Sequence, residues 1–319
     1  MVRQSVVNWH LWSSRYEKGV RYMLKIIEKT KIWFAISLII IFAGVFKMAT
    51  SGLELSIDFA GGTIVQINMN TDLDKVDKTE IDAIIHKYAP GAETNKAKSA
   101  VEASAVMNEL EIKAKDLSAE NLNSMLNDLK GKYGKDVQLI SQDHQGSSMG
   151  KETRNNAILA VILATLAMLV YVGFRFEFRF GISAIIALVH DVLTTLSIYA
   201  LFRIPIDTAF VAAMLTVIGY SINDTIVVFD RIRENQKYMR KSSATELANA
   251  SITQTMARSI NTVLTTLITL VAVYIFVPSI RNFSLPLIAG IVSGCYSSIF
   301  IASPFWVIFK NKKKTTAKA

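Results

Sequence analysis

Six long apolar stretches, residues 32–48, 157–174, 182–202, 209–229, 260–277 and 285–309, alternate with polar ones. At about 1.5 Å of rise per residue, each reaches or nearly reaches across a hydrocarbon core about 30 Å thick. Each therefore predicts a membrane-spanning helix. The first run ends around Lys47 without a clear small-x-small cleavage pattern, and five more runs follow. It reads as a retained anchor rather than a signal peptide.

Between the first and second runs, residues 52–153 change character. Thr63, Val65, Ile67 and Met69 sit at every second position, the period of a strand. The whole stretch 53–69 reads as a strand, a glycine turn at Gly61 and Gly62, then this alternating strand. Residues 77–88 suit a helix with Ile81, Ile84 and Ile85 on one face. Ser118 opens a second helix that Gly131 or Gly134 ends, and residues 136–143 form a closing strand. The pattern assigns nothing to residues 89–116. These elements predict a small α+β module of ferredoxin-like pattern. Asp58, Gly61 and Gly62 at its entrance read as a structural hinge, since paired glycines supply positive φ or close backbone approach. The fold class is an α-helical membrane protein of six transmembrane helices, with this extracytoplasmic domain between helices 1 and 2. The expected layout is a cytoplasmic segment 1–31, a first span 32–51, the outer domain 52–153, a five-helix bundle 154–309 containing a cytoplasmic loop 230–257, and a basic tail 310–319.

Charge sets the orientation. Residues 1–31, 175–179, 231–258 and 310–318 hold 20 Lys and Arg, whereas the opposite flanks hold only Lys47, Lys151, Arg154, Arg203 and Arg281. Basic residues stay inside, so both termini and the 230–257 loop are expected in the cytoplasm. The net charge of +9 is thereby a topology signal. It is split among four segments at membrane edges, which argues against a nucleic-acid partner, while the tail suits contact with anionic membrane lipid. Cys295 is the sole cysteine, no HExxH spacing occurs and no GxxxxGK[ST] phosphate loop is present. Neither a metal, a cofactor nor an enzyme is indicated.

The polar residues inside the apolar runs carry the chemistry. His190 and Asp191 lie in the third run, Asn223 and Asp224 near the end of the fourth, and Arg258 just before the fifth. Ionisable groups in hydrocarbon are costly and are functional by default. Thr262, Thr265 and Thr269 follow Arg258 at helical spacing, and for threonine alone helix–helix adhesion is the plainer reading. Gly290 and Gly294 form a GxxxG pair for close helix contact. Asp224 lies five residues before the end of its run, about 7–8 Å from the surface. Arg258 enters from the same side, so the two are expected to pair.

The motifs IDFAGGT (57–63), MGKE before the second run, ALVHDV in the third, SINDTIVVFDRIREN in the fourth, INTVLTTLIT in the fifth and SGCYSSIFIASP in the sixth resemble the SecD/SecF family of protein-export membrane proteins. The Asn-Asp-Thr of the fourth run and the outer module of about 100 residues favour its SecF branch. Ala60 and Cys295 depart from residues common there. The resemblance implies a fold of the resistance-nodulation-division superfamily, in which two six-span halves face each other and this chain supplies one. It implies a place in a bacterial-type cytoplasmic (inner) membrane and proton-motive-force use to promote late steps of polypeptide translocation. Partners would be a SecD-like subunit, the Sec translocon channel, the secreted polypeptide and protons. It also implies a proton path through Asp224 and Arg258, which His190, Asp191, Asn223, Thr262 and Thr265 could extend. A proton-coupled exporter of small molecules or lipids in the same superfamily is the second reading. A passive scaffold, in which Asp224 is dispensable, is the third.

Overall fold

The computed structural model describes residues 23–69, 76–101, 105–115, 117–134, 136–277 and 280–316. Most of the basic N-terminal stretch and the last three residues lie outside them. Helix α1 (Thr30–Ser51) leads through a short helical turn, α2 (Ile57–Ala60), into the α+β module. The module runs β1 (Gly62–Asn68), α3 (Lys78–Tyr88), β2 (Glu93–Val101), β3 (Ala105–Ala114), α4 (Ala119–Tyr133) and β4 (Gln138–Gln145). Five long helices complete the chain: α5 (Ser147–Arg175), α6 (Phe178–Phe202), α7 (Thr208–Tyr238), α8 (Ala244–Phe276) and α9 (Arg281–Ser297), the last continued by a π-helical turn (Ser298–Ala302) into α10 (Ser303–Thr316). Among the described residues, six helical stretches are long and apolar enough to cross a membrane.

The four strands are ordered β2-β3-β1-β4 and all pair antiparallel, the split βαβ arrangement of a ferredoxin-like sheet. Val65 and Ile67 of β1 and the following Met69 point one way, onto Ile81 and Ile85 of α3 and Leu122, Met125 and Leu129 of α4. That alternation is why the strand forms where it does. Asp77 and Ser118 cap the two helices by accepting from the amides of Thr79 and Asn121. The stretch without a sequence assignment holds the β2–β3 hairpin. The sequence of β2, ETNKAKSAV, is short of large apolar residues, as suits an edge strand kept from pairing with other chains.

Two expectations change. Residues 53–57 are not a regular strand. Leu55 bridges Ile206, the Ile206 amide donates to Glu54 O at 2.8 Å, and the Ser56 amide donates to Ile206 O at 3.0 Å. Among the described residues its backbone partner is Ile206 in the short α6–α7 connection, which offers too little backbone to pair a strand. Residues 230–257 are not a loop either. α7 runs to Tyr238 and α8 starts at Ala244, so only 239–243 turn the chain. Charged side chains that leave the bilayer on a helix are solvated without breaking it, and Ser243 with Glu246 closes a capping box that starts α8.

Gly61 (φ 83°) and Gly62 (φ 150°) both take backbone conformations that favour glycine. A Cβ at Gly62 would stand 2.5 Å from the Ala114 carbonyl oxygen, so the bend also needs the missing side chain. Asp58 ties this bend to the membrane domain by accepting from the Thr208 hydroxyl (2.8 Å) and amide (3.1 Å).

In the membrane domain α6, α7 and the sixth span form the inner layer, while α1, α5 and α8 leave most of their apolar surface uncovered. Close approach is built on glycine. A Cβ on Gly44 would meet Ser197 at 2.1 Å, one on Gly290 would meet Val217 at 2.3 Å, and one on Gly294 would meet Ser221 at 2.9 Å. At the end opposite the sheet, Phe180 packs on Phe229 and Trp306 with ring centroids 5.0 and 5.2 Å apart.

Glu93 opens β2 opposite Lys113 and is partly buried. Burial holds its carboxyl above the usual carboxylate range. Lys113 opposes the shift, and the nearby charges of Asp207, Glu54 and Asp58 add to it. The folded protein therefore binds this proton more tightly than the unfolded chain. Glu93 stabilises the fold increasingly as pH falls, and that contribution is lost as pH rises through its raised value. Glu93→Gln, fixed in the neutral state, should melt at a higher temperature than the parent near neutral pH. The gap should close as pH approaches the ordinary glutamate value of about 4.3. A melting difference that does not change with pH would show that this carboxyl does not titrate as described.

Candidate functional site

The polar residues of the inner layer converge on two carboxylates. Asp191, near the middle of α6, is 1% exposed. Its Oδ1 accepts from Ser293 Oγ at 2.7 Å and lies 3.0 Å from Nδ1 of His190, and its Oδ2 accepts from Ser221 Oγ at 2.5 Å and Ser297 Oγ at 2.7 Å. Three hydroxyl donors from α7 and α9, together with the His190 ring, thus surround one carboxylate. Nε2 of His190 lies 2.9 Å from Ser37 Oγ on α1, which is 3.2 Å from the Tyr296 hydroxyl. This single knot joins four of the six spans.

Asp224, one turn beyond Ser221 on α7, is 7% exposed. Its Oδ1 accepts from Ser259 Oγ of α8 at 2.7 Å, and its Oδ2 is buried without a hydrogen-bond partner among the described residues. A buried carboxylate oxygen left unpaired is costly, and it is the position where a proton can sit. Between the two acids, Thr225 Oγ1 lies 2.7 Å from Ser298 Oγ. Buried hydroxyls thus continue from Asp191 past Ser297 and Ser298 to Asp224.

Neighbours on a helix point about 100° apart, so Ser297 reaches Asp191 on α6 while Ser298, where the π turn begins, reaches Thr225 on α7. Pro304 lacks the amide that a regular turn would use there, and Ser303 Oγ donates back to Ser298 O at 3.1 Å.

Arg258 does not form the expected pair. Among the described residues no ion pair joins it to Asp224 within 4.0 Å, and Arg258 is exposed. Ser259 and Arg258 are neighbours on a helix and face different directions, so when Ser259 meets Asp224 the arginine is turned to the open side of the α7–α8 contact. It borders an open cleft of about 610 Å³ between α7 and α8, together with Asn223, Asp230, Arg231, Glu234 and Gln254. Thr262 and Thr265 are exposed on α8 and donate to carbonyls of their own helix. Gly290 and Gly294 bring α9 against α7, which lets Ser293 and Ser297 reach Asp191.

Sequence reading passed over Ser37, Ser221, Ser259, Ser293, Ser297 and Tyr296. One signal was present: Ser293 and Ser297 recur at i, i+4 and so share a helix face beside the glycine pair. Ser259 carried none, being hidden beside a more conspicuous arginine.

Comparison with known proteins gives the same picture from another side. The family model for the C-terminal region of protein export membrane protein SecD/SecF matches residues 125–312, and the SecD/SecF GG motif matches residues 48–72. Protein translocase subunit SecF of Alicyclobacillus acidocaldarius is 42% identical over 301 residues, covering 91% of this chain and 95% of that one. SecF of Haemophilus influenzae is 38% identical, covering 88% and 84%. Protein translocase subunit SecDF of Bacillus subtilis is 33% identical, and there the match covers 91% of this chain but 39% of that longer one. The crystal structure of SecDF from Thermus thermophilus, a translocon-associated membrane protein, superposes with a TM-score of 0.74 at 32% identity, covering 92% of this chain and 39% of that one. Six apolar helices, a glycine bend into a small sheet domain and close sequence relatives agree: the chain belongs to the SecD/SecF family of protein export membrane proteins.

Proposed function

We propose that this chain is the SecF-type half of a proton-driven motor that promotes late steps of polypeptide export, with Asp224 as its proton-carrying group. The observation that carries the proposal is the buried Asp224 carboxylate with one oxygen paired to Ser259 and the other unpaired. Burial and a cation across the cleft act on such a group in opposite senses, which suits a site that gains and loses a proton as α7 and α8 move. The seam from His190 and Asp191 extends the polar path, and the cleft lined by Asn223 and Arg258 leads toward the end that carries the basic flanks. That end is assigned to the cytoplasm and the sheet domain to the outer side, by the asymmetry of Lys and Arg.

A SecD-like partner is part of the proposal. The longer SecDF chains hold a region equivalent to this chain in about two-fifths of their length. The exposed polar face of α8, with Arg258, Thr262 and Thr265, needs a protein surface rather than lipid against it. The translocon channel and the secreted polypeptide complete the assembly.

Sealed inside-out vesicles test the reading. At saturating ATP, export of a secretory polypeptide should gain an increment from a proton gradient only when this chain and its partner are present. In the same vesicles a cysteine at position 243 should react from the ATP side and one at position 123 only after lysis. An increment that persists without the chain would overturn the motor, and the reverse labelling would overturn the orientation.

A further inference from the structure

Between α5, α6 and α7, at the end of the membrane domain that carries the sheet, lies an apolar cavity of about 300 Å³. Its walls include Phe59, Ala157, Val161, Leu196 and Met214, and Arg154 is its only charged lining residue. We propose that it holds one acyl chain of an anionic phospholipid whose phosphate rests on Arg154 and Lys151.

The surroundings come first. The walls belong to helices apolar and long enough to span a membrane, and α5 leans on the bundle with little of its surface covered. Ile158 and Ile162, also in the lining, are 54% and 49% exposed. The medium at the mouth is therefore hydrocarbon, and a cavity open to it takes up what surrounds it.

The walls then choose between lipid and polypeptide. Every lining side chain apart from Arg154 is apolar. A peptide segment would bring backbone amides and carbonyls to walls that cannot satisfy them, at several kcal/mol each. An acyl chain brings none.

Charge fixes the headgroup. Arg154 stands three residues before Ala157, about 4.5 Å along the helix from the start of the apolar run. That is headgroup depth, with the arginine stem free to lie along the apolar wall. Lys151 is three residues earlier and shares its face, whereas Glu152, two residues away, does not. Among the described residues no carboxylate forms an ion pair with Arg154. A guanidinium fork suits two phosphate oxygens at once. Because Leu53, Leu55 and Phe59 also line the cavity, an acyl chain there packs beneath the connection that carries the outer domain.

The test uses the full chain with its partner, reconstituted with phosphatidylglycerol or phosphatidylcholine bearing a photoreactive diazirine in the acyl chain. Adducts should concentrate on residues 157–162 and 192–214. Yield from the anionic probe should be about fivefold higher, the preference expected of a basic residue near an anionic surface. Arg154→Gln should bring the two headgroups toward parity while adducts persist, Arg154→Lys should keep the preference, and Ala157→Phe should remove the adducts by filling the cavity. Adducts spread evenly over every lipid-facing helix of the parent protein would overturn the proposal. So would equal yields from the two probes in the parent protein, or a protein segment cross-linked at the cavity instead of lipid.

Discussion

Replacing Asp224 by asparagine should abolish the gradient-dependent increment of export and leave the folded complex intact. Asparagine keeps the size of the side chain and keeps an oxygen to accept from Ser259, whose hydroxyl lies 2.7 Å from Oδ1. The amide replaces an oxygen that already has no partner, so one unpaired buried polar group takes the place of another in the same volume. What it cannot do is ionise. One proton crossing about 100 mV supplies roughly 2.3 kcal/mol, enough to shift a two-state equilibrium by about 50-fold. A variant unable to carry that proton should show the same export rate with and without a gradient, at saturating ATP, in amounts of complex equal to the parent. If Asp224→Asn retains the increment, the carboxylate is structural and the coupling lies elsewhere.

Asp191→Ala should have the opposite signature, with the protein itself lost. Removing this carboxylate leaves the hydroxyls of Ser221, Ser293 and Ser297 and the His190 ring facing an apolar void at a site 1% exposed. Interhelical hydrogen bonds in membrane proteins average only about 0.6 kcal/mol each, because the unfolded helices find other partners in lipid. Four such bonds give roughly 2 kcal/mol on that figure. A donor stranded without water costs more, about 1–3 kcal/mol. Ser297 has a second acceptor in Gly294 O at 3.2 Å, so the total should lie near 4 kcal/mol. That is enough to deplete a marginally stable membrane protein. Folded complex recovered in detergent, and its melting temperature, should both fall sharply. Asp191→Asn, which keeps one acceptor oxygen, should fall between. Normal recovery and melting of Asp191→Ala would mean that the knot contributes little to the assembly of the helices.

The pair of variants separates two acids that the bare sequence leaves alike. Each is a carboxylate in an apolar run, and cost in hydrocarbon marks both as functional. The hydroxyls of Ser221, Ser293 and Ser297 and the adjacent His190 ring surround one, while the other keeps an oxygen unpaired, a difference made chiefly by residues 30 to 106 positions away.

Much of the architecture was legible because it depends on local periodicity. Apolar runs of about 20 residues are long enough to span, the alternation through Val65 and Ile67 suits a sheet buried on one face, and Ser118 caps a helix that ends at Gly134, one of the two glycines the sequence offered. The glycine bend was legible because φ near +83° at Gly61 favours that residue. The β2–β3 hairpin was not, since an edge strand with few large side chains shows no alternation to read. The segment 53–57 looked like a strand, but a strand needs a partner edge, and the fold offers it only the connection at Ile206.

Acidic and basic residues near the same depth suggested the pairing of Asp224 with Arg258. Depth along a helix is fixed by sequence, but direction around it is fixed by packing. Ser259 faces α7 in this fold and Arg258 faces the cleft. Sequence by itself determined the six spans, the α+β module and the two intramembrane acids, because each follows from the cost of placing particular side chains in hydrocarbon or water. Tertiary structure alone decided which hydroxyls reach which carboxylate, since that depends on how the helices are rotated and packed, as at the close contacts of Gly290 and Gly294. Those features set helix rotation to within a hydrogen bond's length, a precision that a repeating pattern of apolar positions cannot encode.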